Sequence, residues 1–128
     1  MKLLLDTHIL LTLIGPGAAS PPAAVAAMLR DGDAEHHLSA ASLWEIVVKC
    51  RLSKLKLTLE LGALPELLDG LGVRIVAIDE RHALISVEPE PTTRDPFDRM
   101  LLAQCQVERL RLVTIDRALD SHPLAARG

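Results

Sequence analysis

The chain reads as a single α/β domain over residues 1–128, built on a central, mostly parallel sheet. Three observations predict that class. Short apolar runs at Leu3-Leu4-Leu5, Val73 to Ile78 and Leu112 to Ile115 have the length of strands buried on both faces. Stretches with helical spacing of apolar residues separate them, so strands and helices alternate along the chain. The first and last runs each end at a carboxylate, Asp6 and Asp116, where open α/β sheets carry their ligands. With 49% hydrophobic and 24% charged residues the chain is globular, and 128 residues suffice for one sizeable core.

In chain order, Lys2 to Leu5 is the first strand, and Thr7 to Ile14 is a short apolar helix stopping at Gly15-Pro16-Gly17. Ser20-Pro21-Pro22 opens a second helix, proline being tolerated in a first turn, and Asp31-Gly32-Asp33 closes it after Arg30. The stretch Gly15-x-Gly17-x-x-Ser20 is no dinucleotide fingerprint, because it follows a helix and not a strand. His36-His37-Leu38 is a short strand. Ser39 then caps a helix from Ala40 to about Leu52, with Leu43, Ile46, Val47 and Cys50 on its core side. Leu59 to Leu71 is helical with a break between Gly62 and Pro65. The strand Val73–Ile78 leads to an Asp79-capped helix reaching about Val87, and then to a polar, proline-rich loop from Glu88 to Pro96. Asp98 opens an amphipathic helix to about Arg109, and Leu112–Ile115 is the last strand.

Composition excludes several function classes. Aromatic residues are 2% of the chain, which argues against a base-stacking sheet of the RNA-recognition-motif kind. The formal net charge of -3 means that nucleic-acid contact must come from a local basic patch. Cys50 and Cys105 lack metal-ligand spacing and lie in apolar helical patterns, so both read as reduced core residues. Asp6 and His8 interrupt the first apolar segment far short of a signal-peptide core, and no stretch reaches the length of a membrane span. A soluble, cytoplasmic protein with no membrane contact is the expectation.

The chemistry is carried by four carboxylates. Asp6 and Asp116 stand at strand ends and meet if those strands are neighbours; Glu45 sits early in one helix and Asp98 starts another. Carboxylates packed within a few ångströms cannot all stay ionised without a counter-charge. A hard divalent cation, Mg²⁺ or Mn²⁺, suits such an all-oxygen set better than zinc. It would activate water and neutralise charge developing on a phosphodiester, the logic of metal nucleases. The bland reading stands beside this one: separate helix N-caps and surface acids.

The segments Leu3-Leu4-Leu5-Asp6-Thr7-His8, Leu38-Ser39-Ala40-Ala41-Ser42-Leu43-Trp44-Glu45-Ile46, Arg94-Asp95-Pro96-Phe97-Asp98-Arg99-Met100-Leu101-Leu102-Ala103-Gln104 and Leu112-Val113-Thr114-Ile115-Asp116 resemble the successive motifs of PIN domains. In particular they look like those of VapC-type ribonuclease toxins from type II toxin–antitoxin modules. The likeness spans Lys2 to Asp116. It implies a three-layer α/β/α fold with four to five strands, and a catalytic, metal-holding role for Asp6, Glu45, Asp98 and Asp116. Asp95 lies in the third motif and becomes a supporting or loop-capping residue, while the hydroxyls of Thr7 and Thr114 would orient the neighbouring acids. Two departures stand out. Thr12 occupies a region where the family often carries an aromatic residue. The tail from Leu119 to Gly128 has no β-branched run where a fifth strand is normal.

Other residues have two readings each. Lys49, Arg51, Lys54 and Lys56 form the densest basic cluster and are the expected RNA-phosphate contacts, though such clusters are often only a solvated face. Arg94 and Arg99 flank the third motif and would hold phosphate or pair with Asp95 or Asp98. His8 reads as a helix residue whose ring meets a backbone or carboxylate partner, and Trp44 reads as core packing in preference to an interface anchor.

The reading is a Mg²⁺- or Mn²⁺-dependent endoribonuclease, the toxin of a toxin–antitoxin pair, with RNA as substrate, a cognate antitoxin protein as inhibitor and a second copy as homodimer partner. Only twelve weakly patterned residues follow Asp116, so control is expected from outside the chain. The antitoxin would lay an apolar helix in a groove at Ile9 to Ile14 and Ala23 to Leu29, alternatively a homodimer face, and send a cation to the acids. A receiver-like signalling module is disfavoured, since Asp6-Thr7-His8 supplies no paired acids and no lysine ends a late strand. His8 likewise spoils the Asp-x-Asp motif of an aspartyl-phosphate phosphatase. A catalytically inactive acidic-pocket binding module is the remaining alternative.

Overall fold

The computed structural model describes residues 1–15 and 20–127. Four strands, β1 (Lys2–Leu5), β2 (Glu35–Ser39), β3 (Val73–Val76) and β4 (Arg111–Val113), form one sheet in the order β3-β2-β1-β4. Every pairing is parallel, with Leu5 opposite Leu38 on one side and Val113 on the other. β1 is therefore central. The chain first builds outward from β1 through β2 to β3, then returns to add β4 on the other side. The strand order thus reverses between β1 and β4, the position where such sheets open a crevice at their carboxyl edge.

Among the described residues six helices cover the sheet: α1 (Thr7–Ile14), α2 (Ala23–Arg30), α3 (Ala40–Arg51), α4 (Leu64–Gly70), α5 (Glu80–Leu84) and α6 (Pro96–Glu108). Alternation along β1 divides them. Leu3 and Leu5 pack with Ile9 of α1, Val25 of α2, Ile46 of α3 and Leu68 of α4, whereas Leu4 packs on the other side with Leu101, Leu102 and Cys105 of α6. The result is three layers, α/β/α. Each fully buried leucine contributes about 1.5–3 kcal/mol relative to exposure, and both layers are leucine-rich for that reason.

Ser39 caps α3 as expected, its hydroxyl accepting from the Ala41 N–H at 2.9 Å. A 3₁₀ turn at Leu61–Ala63 precedes α4, so the break expected between Gly62 and Pro65 falls there. Gly72 supplies the positive φ, 76°, that turns the chain from α4 into β3. The expected stop at Gly15-Pro16-Gly17 falls only partly within the described residues, at Gly15, whose N–H donates to the Leu11 carbonyl at 2.8 Å.

Four boundaries near the sheet's carboxyl edge and beyond it differ from expectation. β3 ends at Val76 and β4 at Val113, each two residues early, so Thr114 and Ile115 belong to the crevice and not to the sheet. α5 ends at Leu84, short of Val87, where the backbone becomes extended at Ile85; Asp79 and His82 close its first turn reciprocally. α6 begins at Pro96, with Asp95 as its cap, so Asp98 lies inside the first turn and does not open the helix. The tail supplies only a rudiment of a fifth strand: Leu124 O accepts from Leu112 N at 2.8 Å, and Leu112 O accepts from Ala126 N at 2.7 Å. Among the described residues no helix is long and apolar enough to cross a membrane.

Candidate active site

A cavity of about 360 Å³ opens at the carboxyl edge, lined by Asp6, Glu45, Asp95, Asp98 and Asp116 together with Thr7, His8 and Lys49. Four separate segments deliver the acids, and the topology explains each arrival. Asp6 directly follows central β1, and its N–H is held by the Val113 carbonyl of β4 at 3.0 Å. Asp116 lies three residues past the end of β4. α3 starts directly after β2, so its early residue Glu45 lies near the same edge. α6 precedes β4 and returns to it through Arg109 in the left-handed region, φ 58°, so it runs back across the sheet and its first turn, not its last, reaches the edge. α3 and α6, from opposite layers, make contact there.

Asp6 is 7% exposed. Burial pushes its carboxyl above the ordinary value, and the charges of Glu45 and Asp116 push it the same way. Against them, Thr114 Oγ1 donates to Asp6 Oδ2 at 2.7 Å and the Thr7 backbone adds a second donor. Asp98 is pushed up to about 6, by burial first and by the charges of Asp95, Asp6 and Asp116; the Thr93 hydroxyl, donating to Oδ2 at 3.1 Å, opposes this. Glu45 instead has a cation: Lys49 Nζ lies 3.0 Å from Glu45 Oε2, one helical turn on.

The supporting hydroxyls act differently from one another. Thr114 touches Asp6 directly and also accepts from the Asp116 N–H at 3.0 Å. Thr7 turns away from the acids and donates to Ser42 Oγ at 2.8 Å, tying α1 to α3. Asp95 accepts from the Phe97 N–H at 2.8 Å, capping α6 while it faces the cavity. Ser42 and Thr93 were not singled out in the sequence. Thr93 carries a legible signal, a hydroxyl five residues before an acid in a loop, but Ser42 has none.

The basic residues scatter. Lys49 lines the acid cavity, Lys54 lines a groove on its α3/α6 side, Lys56 lines another on its α1 side, and Arg51 is exposed beyond them. Arg99 grips both oxygens of Glu90, so it pairs with neither Asp95 nor Asp98; Arg94 is exposed. His8 is exposed on the cavity rim, and among the described residues its ring has no hydrogen-bond partner, contrary to expectation. Trp44 is 57% exposed and is not a core residue. The buried Ala41, Ser42 and Ile46 together set the inner side of α3, and position 44 lies well round the helix from their mean direction.

Among the described residues no group of three or more His, Cys, Asp or Glu side chains is arranged to hold a metal ion by direct contact. The donor chemistry nevertheless fits Mg²⁺ or Mn²⁺. All the site acids are hard oxygen donors, two are pushed up by burial and by the charges of neighbouring acids, and Lys49 already supplies a cation to a third. Mg²⁺ keeps several waters and takes one or two carboxylates, so it needs no close three-acid cage.

An acid-lined crevice at the switch point of a parallel three-layer sheet defines a class: α/β proteins that handle charged ligands at the carboxyl edge. The PIN domain family model matches residues 3–123, and the chain belongs to that family, whose members are generally nucleases. No curated protein matches the chain in sequence.

Proposed function

We propose that this PIN domain is a Mg²⁺- or Mn²⁺-dependent endoribonuclease acting as the toxin of a toxin–antitoxin pair. The observation that carries the reading is the convergence of Asp6, Glu45, Asp98 and Asp116, from four segments, on one cavity in a chain of a nuclease family. Asp6, Asp98, Glu45 and Asp116 would hold the metal, which when bound lowers the pKa of water and polarises the phosphodiester. The chain's own groups do the rest. The carboxylates accept hydrogen bonds from the attacking water and orient it. Thr114 fixes the rotamer of Asp6, and Thr93 that of Asp98. The Lys49 ammonium, beside Glu45, meets the phosphate's negative charge. Water forms the new P–O bond as the opposite P–O bond breaks, with no covalent enzyme intermediate.

RNA is the proposed substrate, a cognate antitoxin the inhibitor, and a second copy the homodimer partner. A groove beside the acids, lined by Leu11 and Thr12 of α1 with Pro21, Leu55, Leu57 and Ile115 and by no residue of Ala23 to Leu29, offers the inhibitor an apolar seat next to the site its cation would reach. The test has two arms. Purified protein should cut RNA with Mn²⁺ and not with chelator, and Asp6→Asn should cut at least about a hundredfold more slowly. Expression in a bacterial host should arrest growth, Asp6→Asn should not, and the protein encoded by the neighbouring small open reading frame should relieve the arrest. Cleavage without toxicity would leave a nuclease that is no toxin. Metal binding without cleavage would leave an acidic-pocket binding module.

A further inference from the structure

The chain has one tryptophan, one phenylalanine and no tyrosine. Both aromatic residues line the same cavity, of about 270 Å³, with Ile78 and Met100 beside them. Each stands one residue before a site acid: Trp44 before Glu45 on α3, Phe97 before Asp98 on α6. Adjacent helix positions diverge by about 100°, so the two helices that aim acids into the crevice aim aromatics at the surface next to it. Trp44 is 57% exposed and Ile78 is 42% exposed, a poor use of large apolar groups unless something covers them.

The aromatic cavity is joined to the acid cavity. Glu45, Lys49 and Asp95 line both the acid cavity and a connecting groove, and Pro96 and Phe97 line both that groove and the aromatic cavity. Lys54 adds a second ammonium along the groove. Acids, lysines and aromatics therefore follow one another along a single path. A protein-only interface depletes charge from its centre, whereas lysines leading to aromatic faces are what a single nucleic-acid strand needs for its phosphates and its bases.

We infer that a single RNA strand leaving the acid cavity runs along the α3/α6 groove past Lys49 and Lys54, and that an unstacked base seats against Trp44 and Phe97. This rests on the nuclease reading and adds a strand direction to it. A content of 2% aromatics excludes a stacking sheet, but two residues placed together make one base seat.

Trp44 is the only tryptophan, so its fluorescence reports on this cavity alone. The uncleaving Asp6→Asn protein is titrated with a mixed-sequence RNA octanucleotide and with a dinucleotide. The octanucleotide should quench and shift Trp44 emission; the dinucleotide, with no further nucleotides to follow the groove, should do so far less. Trp44→Leu in the same background should weaken octanucleotide binding roughly ten- to a hundredfold, while Trp44→Phe retains most of it. With Asp6 intact, Trp44→Leu should slow cleavage of the octanucleotide and spare the dinucleotide. If the octanucleotide is bound and cut but Trp44 emission and the Trp44→Leu affinity are unchanged, the strand runs elsewhere and the inference fails while the nuclease stands. Emission that shifts with protein concentration and ignores RNA also overturns it, making the face a contact between copies. Protein that neither binds nor cuts RNA defeats the nuclease reading itself.

Discussion

The starts of α5 and α6 look alike and differ in charge environment. Each is capped by an aspartate, Asp79 accepting from Arg81 N at 2.9 Å and Asp95 from Phe97 N at 2.8 Å. Each has an arginine close by. At α5, Arg81 folds back onto both oxygens of Asp79 and reaches on to Glu108, and that ion pair holds Asp79 below the usual carboxylate range. At α6, Arg99 turns away from Asp98 to Glu90, and Asp98 is left with Thr93 and three other acids. One helix start satisfies its acids internally. The other leaves a carboxylate with no cation paired to it among the described residues, and that contrast makes Asp98 the candidate site residue and Asp79 a structural cap.

The largest expected effect that could break this contrast is on cleavage. Asp98→Asn should lower kcat/KM for RNA by about a hundredfold or more, whereas Asp79→Asn, tied through Arg81 to Glu108 at the other end of α6, should stay within about twofold. Comparable losses from both would mean that α5's start matters to the chemistry and that the division is wrong.

Stability should respond with opposite signs. The move of Asp98 from 3.8 to about 6 would cost up to about 3 kcal/mol at neutral pH. Half-exposure screens much of that, leaving about 1–2 kcal/mol. Without divalent metal, Asp98→Asn should therefore raise Tm by about 3–8 °C, the amide still accepting from Thr93. Asp79→Asn should lower Tm slightly, since it removes the partner of Arg81. A Tm that falls in Asp98→Asn would make that carboxylate a structural group after all.

What was legible in the sequence follows from what is local. The β1 run and its terminal Asp6, the Ser39 cap and the break before Pro65 depend on a few adjacent residues, and the parallel sheet follows from alternation. The four acids were legible because their motifs stand in order along the chain. Their meeting was not, because it depends on β4 adding beside β1 and on α6 running back across the sheet. The Thr7–Ser42 hydrogen bond spans 35 positions and left no local trace. Trp44 was misplaced in the core because large apolar residues are usually buried, while the helix phase set by Ala41, Ser42 and Ile46 turns position 44 outward. For Arg99 the sequence offers phosphate or a neighbouring acid as partner, but Glu90, nine positions back across the loop, takes it.

The finest separation is in pH. Asp98 titrates near 6 when folded and near 3.8 when unfolded, and Asp6 is shifted the same way. Between those values the folded state binds more protons, so stability falls as pH rises through that window. Below 3.8 both states are protonated and the difference vanishes. Asp79 is lowered, so its ion pair stabilises the fold above 3.8 and is lost only as pH falls through its still lower folded value. Differences from wild type cancel the titrations that do not couple to the substituted group; for Asp98 they retain its coupling to Asp95, Asp6 and Asp116. The Tm advantage of Asp98→Asn should be near zero at about pH 3.5 and grow to full size by about pH 7. The Tm deficit of Asp79→Asn should be constant from about pH 7 to pH 5 and shrink in acid. Added Mg²⁺ supplies the counter-charge that Asp98 lacks, so it should remove most of the first difference and leave the second untouched. If Mg²⁺ moves both equally, it acts on the protein's overall charge, and the cavity has no special claim on it.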